Sequence, residues 1–191
     1  MIRRLGAAAL LLLVMACSDS EPVAPPEQAG VLTENLTFFR FSADAYLAAE
    51  KQGSFWAVRG QARQLVLRYT DTYQPFLEFT VGASSIVDQD SVLITVQVDE
   101  GGLLTFHFQP SGLRFNPLAP ALLRIDHGRR NPDIDADGDV DLNDSVLALQ
   151  AGIWKRELPI LPWLKLPSLS LLGTVEEARV YDFTSFGMAV D

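Results

Sequence analysis

The chain contains a single cysteine, Cys17, and only two histidines, His107 and His127. A lone thiol excludes an intrachain disulfide, a zinc ribbon and an iron–sulfur cluster, each of which needs several cysteines. Two histidines leave little material for imidazole catalysis. Basic residues are scarce too: 15 Lys and Arg against 24 Asp and Glu give a formal charge of −9. A nucleic-acid surface needs clustered cations to displace counterions from phosphates, so no nucleic-acid partner is expected. The leading apolar run, Leu5 to Met15, has 11 residues. As a helix it would be about 16 Å long, against a hydrocarbon core of ~30 Å, and cannot span. What the chain does have is apolar material. With 191 residues, 48% hydrophobic and 20% charged, it can form one globular domain with appendages.

Residues 1–17 read MIRRLGAAALLLLVMAC. Arg3 and Arg4 followed by a short apolar run have the form of a secretory signal. The run closes on Val14-Met15-Ala16-Cys17, which resembles the lipobox of bacterial lipoproteins. The resemblance implies that residues 1–16 are removed as a signal peptide and that Cys17 becomes acylated. It places the protein in a bacterial cell envelope, with the membrane as partner through a lipid anchor. Ser18 after the cysteine resembles an outer-membrane or surface sorting signal. The alternative is a plain secretory signal that happens to end in cysteine. Each buried acyl methylene contributes ~0.8 kcal/mol, so two or three chains hold a protein on a membrane almost permanently. Residues 17–31, with three prolines and three acids between Ser18 and Gly30, read as a tether. Such a tether would hold the folded part clear of the headgroups.

From Leu36 to Ile125 apolar and polar residues alternate with period two, interrupted by turn residues. Leu65, Leu67 and Tyr69 alternate with Gln64, Val66 and Arg68; Leu77, Phe79 and Val81 with Phe76, Glu78 and Thr80; Leu104, Phe106 and Phe108 with Thr105, His107 and Gln109. One row of each strand should face a core and the other water. Asp99-Glu100-Gly101-Gly102 is a hairpin signal, because glycine supplies the positive φ of tight turns. The fold class expected is mainly β: an antiparallel β-sandwich over residues 32–191. Ser42 to Lys51 has helix formers and a serine cap, which predicts a short helix between strands. His107 falls on a polar row and reads as an exposed sheet residue.

Pro110-Ser-Gly-Leu-Arg-Phe115-Asn-Pro117, with Leu122 and Ile125, resembles a segment of the domain shared by zonula occludens proteins, ankyrins and netrin receptors. Val81-Gly-Ala-Ser-Ser-Ile86 is similar to a turn of that domain, without its proline. The closing Val180–Val190 segment resembles its final strand. The resemblance implies a β-sandwich used for protein contacts, whose last strand returns beside earlier ones. It makes 126–174 an insertion.

Within that insertion lies Asp133-Ile-Asp-Ala-Asp-Gly-Asp-Val-Asp-Leu-Asn-Asp144, which fits the twelve-residue calcium loop. Oxygen side chains stand at positions 1, 3 and 5, glycine at 6, an aliphatic residue at 8 and a carboxylate at 12. A tight loop turns alternate residues toward one centre, and Gly138 permits the left-handed bend. Asp133, Asp135, Asp137 and Asp144 are expected to coordinate Ca²⁺ by side chain, Asp139 by its backbone carbonyl, and Asp141 directly or through water. Val140 is expected to anchor the loop on the core. Without a cation each close carboxylate pair costs about 1–3 kcal/mol, so a solvated acidic turn is the less economical reading.

Leu142, Val146, Leu149 and Ile153 then recur at helical spacing, predicting an amphipathic helix over about 142–154. Loop and helix together resemble one half of a dockerin, the calcium module that docks on cohesins. No second loop exists in this sequence, and Asp144 stands where sensor loops carry the longer glutamate. From Leu158 to Leu172 three prolines interrupt large apolar residues and forbid a regular helix. This segment reads as a strap, with Trp163 and neighbouring leucines packed on the sandwich; an exposed apolar patch is the alternative.

These features point to a membrane-anchored, non-enzymatic envelope protein with structural or protein-interaction and adhesion roles, its protein partner unnamed by the sequence. Two alternatives stand beside it. Some relatives of the sandwich cleave themselves at a hydroxyl residue, which here corresponds to the bond Phe183–Thr184, with Asp182 in place of the expected histidine base. A dockerin-like module recruiting a cohesin is the other.

Overall fold

The computed structural model describes residues 30–191. Cys17, the signal segment and all but the end of the tether lie outside the described residues. Among the described residues no helix is long and apolar enough to cross a membrane.

Two antiparallel sheets pack face to face as a β-sandwich. One contains β1 (Thr37–Phe38), β2 (Gln52–Val58), β5 (Ser91–Val98), β6 (Thr105–Gln109), β8 (Gly152–Arg156), β9 (Leu164–Lys165) and β12 (Ser185–Val190), in the order β2-β5-β6-β12-β8-β9 with β1 also on β12. The other runs β10-β11-β7-β4-β3, from β10 (Ser168–Leu171), β11 (Val175–Val180), β7 (Ala121–Asp126), β4 (Pro75–Val81) and β3 (Arg63–Arg68). Among the described residues there are also two short α-helices, α1 (Ala43–Ala48) and α2 (Leu142–Leu149), and a 3₁₀ turn at Thr33–Asn35. α1 starts where expected, with the Ser42 hydroxyl accepting from the Ala45 N–H at 3.3 Å.

The period-two rows meet in the space between the sheets. Leu65, Leu67, Leu77, Phe79, Val81, Ile94, Val96, Phe106 and Phe108 are all buried there. Phe183 joins them, its ring 5.2 Å from Phe79 and 5.1 Å from Phe108 and Phe115. Each such aromatic contributes roughly 1.5–3 kcal/mol by leaving water. The alternation fails at Phe76, which is buried although the pattern puts it on the outer row. The register between β3 and β4 shifts between Leu67 and Arg68, and this turns Phe76 onto Phe41 and Tyr69. Thr105 is buried as well, paired with Gly187 of β12, which has no side chain to displace its methyl group.

β5 and β6 form the hairpin around Asp99–Gly102, where Gly102 has φ +78° and the Asp99 carboxylate accepts from the Gly101 N–H at 2.7 Å. The closing strand β12 lies between β6 and β8 and also carries β1.

Only part of 126–174 leaves the sheets. Residues 127–151 carry the acidic loop and α2, whereas β8 and β9 continue one sheet and β10 the other. α2 is correspondingly shorter than predicted: it stops at Leu149, and Gly152–Arg156 is strand. Ile153 and Trp154 are buried on opposite faces of β8, a demand that pairing with β12 meets. Trp154 donates its indole N–H to the Ala189 carbonyl at 3.1 Å.

Trp163 packs on Phe38, with ring centroids 4.9 Å apart, and forms a small second core with Leu36, Trp154 and Ala189. The neighbouring apolar residues Leu158, Ile160, Leu161, Leu169 and Leu172 are exposed. The strap is therefore pinned by its tryptophan, while most of its large aliphatics face water.

Candidate metal centre

The acidic loop is built from turns in which each aspartate bonds to backbone further on. The Asp135 carboxylate accepts from the Asp137 N–H at 3.4 Å, Asp137 from the Asp139 N–H at 3.1 Å, and Asp133 from the Gly138 N–H at 3.3 Å. The expected bend is present: Gly138 has φ +101°. Ala136 also sits at positive φ, +60°, in a conformation that costs a residue with a Cβ about 1 kcal/mol.

This winding brings one carboxylate oxygen from each of Asp133, Asp135 and Asp137 within 4.8 Å of the others. Three hard anionic oxygens at one centre suit a hard divalent cation. The Asp133 Oδ1 atom is buried and has no hydrogen-bond partner in the protein. A buried acceptor without a donor costs free energy, and a cation among the three carboxylates would satisfy it.

The other three aspartates are used differently. Asp144 is buried and works for the backbone: Oδ1 accepts from the Ile134 N–H at 2.6 Å and Oδ2 from the Asp141 N–H at 2.9 Å. Asp141 caps α2, its carboxylate accepting from the N–H groups of Asn143 (2.6 Å) and Asp144 (3.4 Å). The two together form a reciprocal capping box. Asp139 is exposed and outside the three-carboxylate group. The backbone N–H groups of Asp141 and Ile134 hold the Asp144 carboxyl below its ordinary range. Asp139 is pushed the other way, first by the charge of Asp137 and then by desolvation and the remaining acids. A further ligand partner that the spacing did not indicate is Asn143, whose amide donates to Asp135 Oδ2 at 2.6 Å.

Two orientations depart from expectation. Val140 is exposed, and the loop is anchored instead by Ile134, which is 6% exposed and belongs to the main core. α2 turns its predicted apolar stripe outward: Leu142 and Leu149 are 78% and 88% exposed, and Val146 is also exposed. Its inner side carries Asp144, Leu147 and Ala148. The two Asp144 bonds explain the rotation, because they require that carboxylate to face the loop's backbone.

The loop joins the sandwich through an aromatic and cationic hinge. His127 is buried edge-on to Phe39 at 5.4 Å, and Arg130 Nη1 donates to its Nδ1 at 3.2 Å. Burial first, and then the charge of Arg130, lower the His127 pKa to about 4. Arg129 forms a two-pronged pair with Asp71 at 2.8 and 2.9 Å.

Outside the loop, His107 has a partner that the strand pattern alone could not supply: its Nδ1 lies 2.9 Å from the Ser185 hydroxyl, across a pairing of strands 78 residues apart. At the proposed scissile bond the Thr184 hydroxyl donates to the Ser185 carbonyl at 3.4 Å, and Asp182 is engaged by Lys155 Nζ at 2.8 and 2.9 Å.

No family model, no curated protein and no solved structure matches this chain.

Proposed function

We propose that the protein is a non-enzymatic, calcium-stabilised β-sandwich held at a bacterial cell envelope by acyl chains on Cys17, where it serves a structural or adhesive role. The observation that carries the calcium reading is the convergence of Asp133, Asp135 and Asp137 with Asp133 Oδ1 buried and unpartnered. The calcium-loop spacing of the sequence supports Ca²⁺ over a softer metal, since all donors are oxygen. In this reading Asp139 and Asp141 offer backbone or water-mediated oxygens. Asp144 closes the loop from the backbone side and is a positioning group. An extracellular-grade affinity, about 10⁻⁴–10⁻³ M or somewhat tighter, is expected for one loop without a paired second loop. Calorimetry with Ca²⁺ and then Mg²⁺ tests it, together with limited proteolysis of 131–154 in calcium and in EDTA. Heat with Ca²⁺ and slower cleavage in its presence support the proposal; no heat at millimolar Ca²⁺ and equal cleavage sink it.

A second reading is favoured by one feature, the outward-facing Leu142, Val146 and Leu149 on α2. A helix presenting aliphatics at this spacing suits a protein partner, as in a dockerin recruiting a cohesin. Purified cohesin passed over immobilised protein in calcium discriminates the two: retention that Leu149→Asp abolishes supports recruitment, and flow-through removes it.

A further inference from the structure

The turn between β8 and β9 carries exposed aliphatics on a braced backbone. Leu158, Ile160 and Leu161 project into solvent, Ile160 with 87% of its surface exposed. Pro159 and Pro162 restrict the turn's φ angles. Behind it the Arg156 guanidinium lies over the Trp163 ring at 4.5 Å and donates to the Pro159 carbonyl at 3.3 Å. The turn therefore holds its apolar side chains outward. Ordinary collapse would bury them.

The N-terminal segment enters the fold at the same place. Val31 and Trp163 exchange two backbone hydrogen bonds of 2.8 Å each, and Arg156 donates to the Thr33 hydroxyl at 3.2 Å. Leu32, next to Val31, is half exposed. The stretch leading back to Cys17 thus joins the sandwich beside the apolar turn.

We propose that this turn is a membrane-docking tip, which inserts Leu158, Ile160 and Leu161 into the lipid interface of the bilayer that carries the anchor. The proposal rests on the acylation of Cys17. That residue precedes Val31 by 14 positions, a reach of at most ~50 Å when extended. Tethering at that length presents the tip to the lipid surface at an effective concentration in the millimolar range, so a shallow insertion of three side chains suffices. The Arg156 guanidinium, held over Trp163 behind the turn, places a cation beside the apolar tip, where it favours anionic headgroups. Two acids lie near the turn, Glu157 at 3.7 Å and Asp182 at 2.8 Å from the shared cation Lys155. The tether then limits the domain's excursions, and the tip returns it to the surface.

The test uses the full chain, expressed with its own leader in a bacterial envelope and reconstituted in phosphatidylethanolamine–phosphatidylglycerol vesicles with brominated acyl chains. Ile160→Trp is compared with Leu47→Trp, an exposed position on α1. Ile160→Trp should lose about half of its added fluorescence by quenching, as expected for a side chain in the headgroup–acyl boundary, and Leu47→Trp little. Adding Leu161→Asp to Ile160→Trp should cancel the difference. The mass of the Cys17 peptide reports acylation independently. Acylated protein with equal quenching at both positions overturns the tip and leaves the anchor standing. Unacylated protein overturns the anchor; selective quenching at 160 in that sample still supports the tip, and its absence overturns both. Fluorescence at 160 that changes with protein concentration and ignores the lipid assigns the turn to self-association and overturns the proposal.

Discussion

The Asp144 carboxylate accepts the Ile134 backbone N–H at 2.6 Å, joining the last residue of the acidic loop to its second. Ile134 is at the same time a member of the main core. One side chain therefore closes the loop, completes the capping box of α2 and ties both to a core residue through backbone N–H groups.

Asp144→Ala should accordingly destabilise the protein in EDTA, lowering Tm by about 2–4 °C for the loss of a cap and two backbone acceptors. Asp135→Asn should leave the EDTA melting curve close to the parent. Its defect should appear only as a lost response to calcium. Thermal melts in EDTA and in calcium separate the two roles, and equal behaviour of both variants would refute the division.

Calcium that binds only the folded chain stabilises it by mass action. At a free concentration ten times Kd the gain is about 1.4 kcal/mol, read as a shift in the urea midpoint with an unchanged slope. Asp137→Asn should abolish most of that shift.

His127 gives stability a pH dependence of definite sign. Unfolded, it takes up a proton near pH 6.5; folded, burial and Arg130 hold its pKa at about 4. Between these values the unfolded chain binds more protons, so stability is full above about pH 6.5 and falls by up to ~1.4 kcal/mol per pH unit toward pH 4. Urea titrations at pH 7.5, 6 and 5 should show the slope. His127→Leu should flatten it while lowering stability throughout, because Arg130 loses an acceptor.

Gly187 lies on β12 next to the stretch that pairs with β1. A Cβ there would meet Thr105 Cγ2 at 2.7 Å and Phe38 Cε1 at 2.9 Å. Gly187→Ala should cost about 1–3 kcal/mol by overpacking. It should also loosen β1 from β12, seen as faster amide exchange at Thr37 and Phe38 than elsewhere in the sheet.

Self-cleavage at Phe183–Thr184 should not occur. Asp182, which stands where the base is expected, is paired with Lys155, and Phe183 is packed among aromatics. Intact-mass measurement after prolonged incubation should find no loss of the fragment Thr184–Asp191, and Thr184→Ala should be indistinguishable.

Much of the sandwich was legible because a strand's alternation is local: each residue's side is set by its immediate neighbours. The same holds for the Asp99–Gly102 turn, the Ser42 cap and the bend at Gly138. Phe76 was misread because a register shift belongs to two strands at once. α2 was overextended and rotated because helical spacing at Leu142, Val146 and Leu149 says which residues share a face, never which face is turned inward. In the fold Asp144 faces inward, bonded to the Ile134 and Asp141 N–H groups, and the aliphatic stripe faces out.

The amino-acid sequence alone determined the β-rich class, the scarcity of cysteine and histidine and the spacing of the acidic loop, since each follows from composition or short-range periodicity. Tertiary structure decided which three carboxylates converge, that Ile134 and not Val140 anchors them, that His107 meets Ser185, and that Leu158, Ile160 and Leu161 face water beside the entering chain. These depend on pairings between segments far apart in the chain, where the free energy of the assembled core selects among arrangements that local preference leaves equal.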